Sequence, residues 1–430
     1  MRETGTLLGT AIGLGAMLAA PFVAAAGTFA AALLAVVVIT ACLSVLVIFH
    51  EPYPTVPIMV LAVLFGTGIL PLYVFAVTLA IMLVGELAAR YADGSLLARR
   101  RRKVEVQRRL EAGEVPPVYL WFFGAAVAAG LAVSWALGKE APLIVLTGVV
   151  VAVLLKAILA DREDAFLVEV LGVAMTVYLF GDLDFSVDGL NLIAAAIVAF
   201  SFGYFAYRAR AMDLSGLFSG ALIGLLLIVF ADVRWFVILL VFFVLGSGTT
   251  RYRFDYKRRL GVEEGKSGVR GYQNVFANGI VAAAAAVMYG VTQHPACIAL
   301  FLGAVATAAA DTVASEIGVT GQTPRLITTF ERVRAGTNGG VTLVGELAAG
   351  LASLVIGLVA FLLGVADPAM LLVTVAAGLV GTNVDSVIGA LFENRGLIGN
   401  SGTNLLATLA GGVFAALFFV GATVPSAVGI

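Results

Sequence analysis

The sequence predicts an all-α, polytopic transmembrane bundle of about fifteen spans, within a range of 13–15, with its N-terminus on the cytoplasmic side. Three observations carry that expectation. Hydrophobic residues make up 61% of the 430 positions and charged residues 12%, against about 45–50% and about 25% in soluble domains. Uncharged runs such as Thr4 to Phe49 far exceed the roughly 20 apolar residues that a span requires. The runs are blocks of Ala, Val, Leu, Ile and Gly, without the alternation over about ten residues that marks a membrane barrel. Backbone groups in lipid must find their partners within the segment, so the spans are read as helices.

In chain order the spans are read at 6–25, 28–49, 55–70, 71–89, 117–136, 141–159, 165–180 and 189–207. They continue at 214–231, 233–249, 275–291, 295–314, 341–363, 368–390 and 403–424. The first has the outline of a signal peptide, with Arg2 ahead of an apolar stretch and small residues near Ala20 and Pro21. It runs straight into a second apolar segment with no soluble domain between, so it is read as a retained span. Gly68 and Pro71 alone divide the 55–89 stretch, and neither residue type ends a membrane helix by itself.

Charge orders these elements. If each span switches sides, the inner connections hold 24 of the 26 Lys and Arg residues, and only Lys139 and Arg234 fall outside. That asymmetry is the positive-inside pattern and makes the basic loops cytoplasmic in a multi-pass cell-membrane protein. The outer connections are short and partly acidic, as at Asp182, Asp184 and Asp188. The segment from Arg99 to Glu114 reads as an amphipathic helix on anionic lipid. The expected partner is therefore the bilayer. A net charge of −1 gives no sign of a nucleic-acid partner, and oligomeric state is left open.

The scarce residue types exclude some chemistry. Cys42 and Cys297 lie in or beside apolar segments and suggest neither a disulfide framework nor a thiolate metal site. His50 and His294 are the only histidines and stand outside the polar clusters, which disfavours a His-based hydrolase or a three-His zinc centre.

The polar residues of the second half fall in short clusters. Gly265-Lys-Ser-Gly-Val-Arg-Gly-Tyr-Gln-Asn274 joins flexible glycines to two cations, Lys266 and Arg270, a combination suited to phosphate oxygens. Its spacing is not that of a P-loop, and a basic loop that enforces topology accounts for the same residues. Asp311-Thr-Val-Ala-Ser-Glu316-Ile-Gly318 ends a long apolar helix. Carboxylates at membrane depth are costly and usually functional, and their hard oxygens suit Mg²⁺ held together with substrate phosphate. Asp311 and Glu316 stand about 140° apart on an ideal helix, so sharing one ion requires the helix to break near Glu316. An interhelical polar contact is the plainer alternative.

Next come Arg325, Arg332 and Arg334, then Gly336-Thr337-Asn338-Gly339-Gly340 at the entry to a helix that carries Glu346. A helix N-terminus behind such a turn is an anion site, and the same spacing also makes an ordinary turn. Asn383-Val-Asp385-Ser386 and Asn400-Ser-Gly-Thr-Asn404 follow. The topology places Asp311, Glu316, Asp385 and Asn404 near one membrane plane.

Residues from roughly 205 to 425 resemble the integral membrane family that includes plant phytyl phosphate kinase and animal transmembrane protein 19, labelled domain of unknown function 92. The resemblance is carried in order by Gly265 to Gly279, Asp311 to Gly318, Arg325 to Gly345, Gly381 to Gly389 and Asn400 to Gly412. It divides the chain into residues 1–204, with about eight spans and no assigned role, and a family-like catalytic domain at 205–430 with about seven. It implies a kinase that converts an isoprenoid monophosphate, of phytyl or geranylgeranyl type, to the diphosphate with a nucleoside triphosphate, CTP first. On that reading Asp311, Glu316 and Asp385 are the Mg²⁺ ligands. Lys266, Arg270 and Arg332 neutralise charge on the transferring group. The Gly336–Gly340 turn holds phosphate, and Asn274 and Asn404 position phosphate or ribose. A transporter of lipid phosphate or small anions and a CTP-dependent lipid cytidylyltransferase are the alternatives.

Overall fold

The computed structural model describes residues 2–50, 52–92, 116–159, 165–181, 187–261, 269–321 and 323–421. The basic segment 99–114 and Lys266 lie outside the described residues. The chain forms two compact units, Met1–Gly189 and Leu190–Ile430.

The first unit is built from α1 (Arg2–Ala26), α2 (Thr28–Phe49), α3 (Thr55–Gly66), α4 (Leu72–Leu79), α5 (Gly85–Ala92), α6 (Pro117–Ala136), α7 (Pro142–Ile158) and α8 (Ala165–Gly181). A single π-helical stretch, Ala80–Val84, joins α4 to α5 into one continuous span. Its buried ionisable groups are paired: Lys156 Nζ lies 2.7 Å from Glu86 and 3.5 Å from Glu169, and Arg90 lies 3.0 Å from Glu86.

The second unit begins with α9 (Gly189–Arg208), α10 (Leu214–Phe230), α11 (Val233–Arg251), the short basic α12 (Phe254–Leu260) and α13 (Tyr272–Thr292). After these come α14 (Pro295–Gly318), a two-stranded antiparallel excursion of β1 (Arg325–Leu326) and β2 (Gly340–Val341), α15 (Leu343–Leu362), α16 (Pro368–Leu391) and α17 (Asn400–Leu417). Central in this unit is α14, which packs against α11, α13, α15, α16 and α17.

Small residues make that crowding feasible. In lipid, helices gain by close van der Waals approach, which Gly, Ala, Ser and Thr permit. A side chain at Gly303 would collide with the backbone at Gly411 and Gly412, and one at Gly381 with Thr307. Thr307 satisfies its hydroxyl on Gly303 O at 2.8 Å and on Ala377 O of the neighbouring helix at 3.2 Å.

The span count differs from the sequence expectation. Ten helices among the described residues are long and apolar enough to cross a membrane, not fifteen. The expected spans at 55–70, 141–159, 165–180 and 214–231 are helices of 12, 17, 17 and 17 residues. They rise about 18 and about 26 Å at 1.5 Å per residue, short of a hydrocarbon core about 30 Å thick. The last expected span is Asn400–Leu417, whose opening turn holds Asn400, Ser401, Thr403 and Asn404 and which is not among the ten. Sidedness that rested on fifteen alternating crossings, the cytoplasmic N-terminus included, falls with that count.

Candidate active site

A cavity of about 270 Å³ opens at the end of the second unit where α14 and α16 finish and α13, α15 and α17 begin. Its walls follow from the helix packing. Thr307 of α14 meets Gly381 of α16. Four residues further along each helix, one turn, stand Asp311 and Asp385. Their carboxyl groups therefore face each other closely enough to interact directly, and Glu393 is the next charge that Asp385 feels. Thr382 donates its hydroxyl to Asp311 Oδ1 at 3.4 Å. Asn404 of α17 lines the same cavity.

Two oxygens of the cavity's lining residues are unsatisfied. Asp385 Oδ1 and Asn404 Oδ1 are buried with no hydrogen-bond partner among the described residues. A buried acceptor without a donor is costly, and two adjacent carboxylates repel unless a cation or a shared proton accompanies them. Both features fit a hard divalent cation. Mg²⁺ binds through one or two carboxylates and takes its remaining positions from water and substrate phosphate. Among the described residues, no set of three or more His, Cys, Asp or Glu side chains encloses a metal ion. A metal here would rely on the pair Asp311 and Asp385, with Asn404 a further oxygen donor in the lining of the same cavity.

Glu316 also lines the cavity but has another engagement. Since α14 runs unbroken to Gly318, Glu316 is turned away from Asp311 by the helix geometry and pairs with Lys257 of α12. Lys257 is 1% exposed, and it also donates to Thr249 O at 2.8 Å and Thr250 O at 3.1 Å. All three of its N–H donors are thus occupied. The sequence offered no reason to single out Lys257, which stands in a basic run with Arg253, Arg258 and Arg259.

The glycine turn forms the opposite wall. Gly336, Thr337, Asn338, Gly339 and Gly340 all line the cavity. Gly336 and Gly339 have φ of +82° and +79°, the left-handed region open to glycine. Thr337 and Gly340 donate their N–H groups to the carbonyls of Arg334 and Thr337, so the backbone donors left to the turn are those of Gly336, Asn338 and Gly339. The turn is fastened to α16: a side chain at Gly339 would strike Ser386 O and Ala390, and Asn394 Nδ2 donates to Asn338 O at 2.9 Å.

The expected cations are dispersed. Arg332 is exposed, bridged to Arg325 in the β1–β2 excursion, and is not part of the cavity wall. Arg270 is 5% exposed, and its guanidinium lies 5.5 and 5.6 Å from the ring centres of Phe242 and Phe243. Asn274, on the first turn of α13, does line the cavity. So do Glu346, which accepts from Asn383 Nδ2 at 3.1 Å, and Glu393, which accepts from Thr403 at 3.2 Å. The described wall thus bears five carboxyl groups and no Lys or Arg. A phosphorylated ligand in such a cavity is repelled by every one of these acids that is ionised and uncompensated.

Comparison with known proteins places this unit in a lineage. An uncharacterized membrane protein of Methanocaldococcus jannaschii is 35% identical over 213 residues, 49% of this chain and 87% of that protein. The Arabidopsis thaliana protein PGR is 34% identical over 232 residues, covering 48% of this chain and 80% of its own length. The chloroplastic protein VTE6 of Arabidopsis thaliana is 31% identical over 190 residues, 43% of this chain and 57% of that protein. No solved structure matches. The family described as integral membrane protein DUF92 matches residues 197–421, which hold every described residue of the cavity wall, and the chain belongs to that family.

Proposed function

We propose that this protein is a membrane-embedded kinase that phosphorylates an isoprenoid monophosphate. One observation carries the reading: the Asp311–Asp385 pair, one of whose buried oxygens lacks a hydrogen-bond partner, shares a cavity with a glycine turn at the end of a membrane bundle. The resemblance to the family of plant phytyl phosphate kinase supplies the reaction class and makes CTP the first donor to test. A non-bridging oxygen of the lipid phosphate forms a bond to the γ-phosphorus. The bond from that phosphorus to its bridging oxygen breaks, and a nucleoside diphosphate leaves.

When bound, Mg²⁺ offsets the charge of the phosphate oxygens. Asp311 and Asp385 would hold it, and Asn404 of the same cavity lining would offer a further oxygen. The N–H groups of Gly336, Asn338 and Gly339 orient donor phosphate, and Asn274 positions the acceptor side. Lys257 neutralises Glu316 and limits the negative charge that the ligand meets. An acceptor phosphate is already ionised, so the step asks no general base of the chain.

The site end of the second unit is assigned to the cytoplasm. Among the described residues it bears Arg208, Arg210, Arg251, Arg253, Lys257, Arg258, Arg259, Arg270, Arg325, Arg332, Arg334 and Arg395, whereas Arg234 alone marks the other ends of the same helices. Basic ends stay on the inner side.

The test incubates the purified full chain with γ-labelled CTP or ATP, Mg²⁺ and geranylgeranyl phosphate. Labelled geranylgeranyl diphosphate supports the reading. Pyrophosphate release with a nucleotidyl lipid replaces it with a cytidylyltransferase. No product, together with anion uptake by proteoliposomes, replaces it with a transporter.

A further inference from the structure

Two connections at the site end of the second unit carry dense positive charge. Arg208 and Arg210 stand where α9 ends, and Arg251, Arg253, Arg258 and Arg259 stand where α11 ends and along α12. All six are exposed. Arg251 donates from Nη2 to Ala209 O at 3.2 Å, which joins the two groups into one patch. Within these two stretches the acid is Asp255, whose carboxylate lies 3.4 Å from Arg258. Asp213, just beyond Arg210, caps α10 instead and accepts from the Gly216 N–H at 2.8 Å and the Ser215 hydroxyl at 2.7 Å. Six arginines thus share one exposed carboxylate.

The orientation of α12 indicates what covers this patch. Lys257 is buried and Phe254, three residues earlier on the same face, is half-buried. Tyr256 and Leu260, four apart, are 40% and 46% exposed, and Tyr252 just ahead of the helix is 48% exposed. A helix that buries a lysine and exposes tyrosine and leucine is the reverse of what water selects. It suits a membrane interface, where tyrosine rings sit at headgroup level and arginines reach toward phosphate. Position agrees. Both α9 and α11 are long and apolar enough to cross a membrane, and they end at the patch, at Arg208 and Arg251.

We propose that this arginine patch is a docking surface for the headgroups of anionic glycerophospholipids in the surrounding bilayer. A zwitterionic headgroup brings its own cation into a field that is already positive. An anionic headgroup brings phosphate without one, and guanidinium groups bind phosphate through paired, charge-assisted hydrogen bonds. Each basic residue near an anionic leaflet strengthens association about fivefold. The surface goes beyond the kinase reading and holds whichever reaction the cavity performs. Its bearing on the cavity runs through α12. That helix presents Arg258 and Arg259 outward and Lys257 inward, to Glu316 of the cavity wall. A headgroup seated on the outer face therefore steadies that wall.

Two measurements on the full chain in nanodiscs test this, and neither reads turnover. In the first, phosphatidylglycerol or phosphatidylcholine bearing a headgroup diazirine is photolysed with the protein and the labelled peptides are mapped. Phosphatidylglycerol should label 208–210 and 251–260 at least about fivefold more than phosphatidylcholine does. The preference should vanish in the variant Arg253→Gln, Arg258→Gln, Arg259→Gln, whose changes are all at exposed positions. Equal labelling by the two lipids overturns the proposal. So does displacement of the label by inorganic phosphate, which would assign the patch to a soluble anion.

In the second measurement, amide hydrogen exchange is compared in nanodiscs of phosphatidylcholine alone and with phosphatidylglycerol added. Exchange in α12 and in the last turn of α14, Ser315 to Gly318, should slow at least about threefold with the anionic lipid. In Lys257→Met the slowing should persist in α12 and disappear from α14. Unchanged exchange in α12 overturns the docking surface, and unchanged exchange in α14 of the wild type overturns its link to the wall. Preferential labelling with no kinase product keeps the surface and removes the kinase reading, and product formation with equal labelling does the reverse.

Discussion

Replacing Lys257 by Met tests the buried pair behind the cavity wall. The ammonium is 1% exposed and the partner carboxylate of Glu316 belongs to a residue 8% exposed. Methionine keeps most of the apolar stem and removes the charge together with its N–H donors. What remains is a carboxylate turned into protein, together with the Thr249 and Thr250 carbonyls that lose a donor. Breaking a buried pair in this way costs about 3–5 kcal/mol. Glu316 borders the cavity and regains some hydration, so the expected loss is near the lower end, about 3 kcal/mol. Changing Glu316 to Gln as well removes the orphaned charge and should recover about 2 kcal/mol of it. The assay is equilibrium unfolding of the full chain in mixed micelles, run as a double-mutant cycle. A Lys257→Met loss below about 1 kcal/mol, or a double variant equal to the sum of the singles, would refute the closed-pair reasoning. Turnover adds a second readout. A double variant that regains stability but remains inactive would assign Glu316 to the chemistry as well as to the scaffold.

Three further outcomes are expected. Asp385→Asn should abolish phosphoryl transfer and the Mg²⁺-dependent rise in melting temperature, yet leave the metal-free protein as stable as wild type or more so, because it relieves repulsion with Asp311; melting curves with EDTA and with Mg²⁺ check both signs. Gly339→Ala combines an unfavourable φ with a collision against α16 and should cost about 2–4 kcal/mol, read as a lower unfolding midpoint. Gly381→Leu should lose about 1–3 kcal/mol and most of the activity by forcing α16 away from Thr307; Gly381→Leu combined with Thr307→Ala should regain part of both.

The membrane class was legible because lipid imposes it on composition. The span count was not, and α10 shows why. Leu214–Phe230 carries no charge, but its helix holds only seventeen residues, about 26 Å at 1.5 Å per residue. Hydropathy shows that a segment is apolar and does not show where its helix starts and stops. Asp311 and Asp385 were legible as candidates because an acid inside an apolar run is expensive. Their mutual contact was not legible, since it depends on Gly381 meeting Thr307 across two helices distant in sequence. Lys257 was hidden for the opposite reason. Sequence shows how many cations α12 carries but not which one turns inward.

The seating of the glycine turn on α16 has a mechanical consequence. Asp385, Ser386, Gly389 and the loop that abuts them form one rigid piece. Any tilt of that helix carries the metal-facing acid and the loop's amides together, preserving the gap between them. Substrate exchange then calls for movement of a wall outside that piece, such as the α13 border at Asn274.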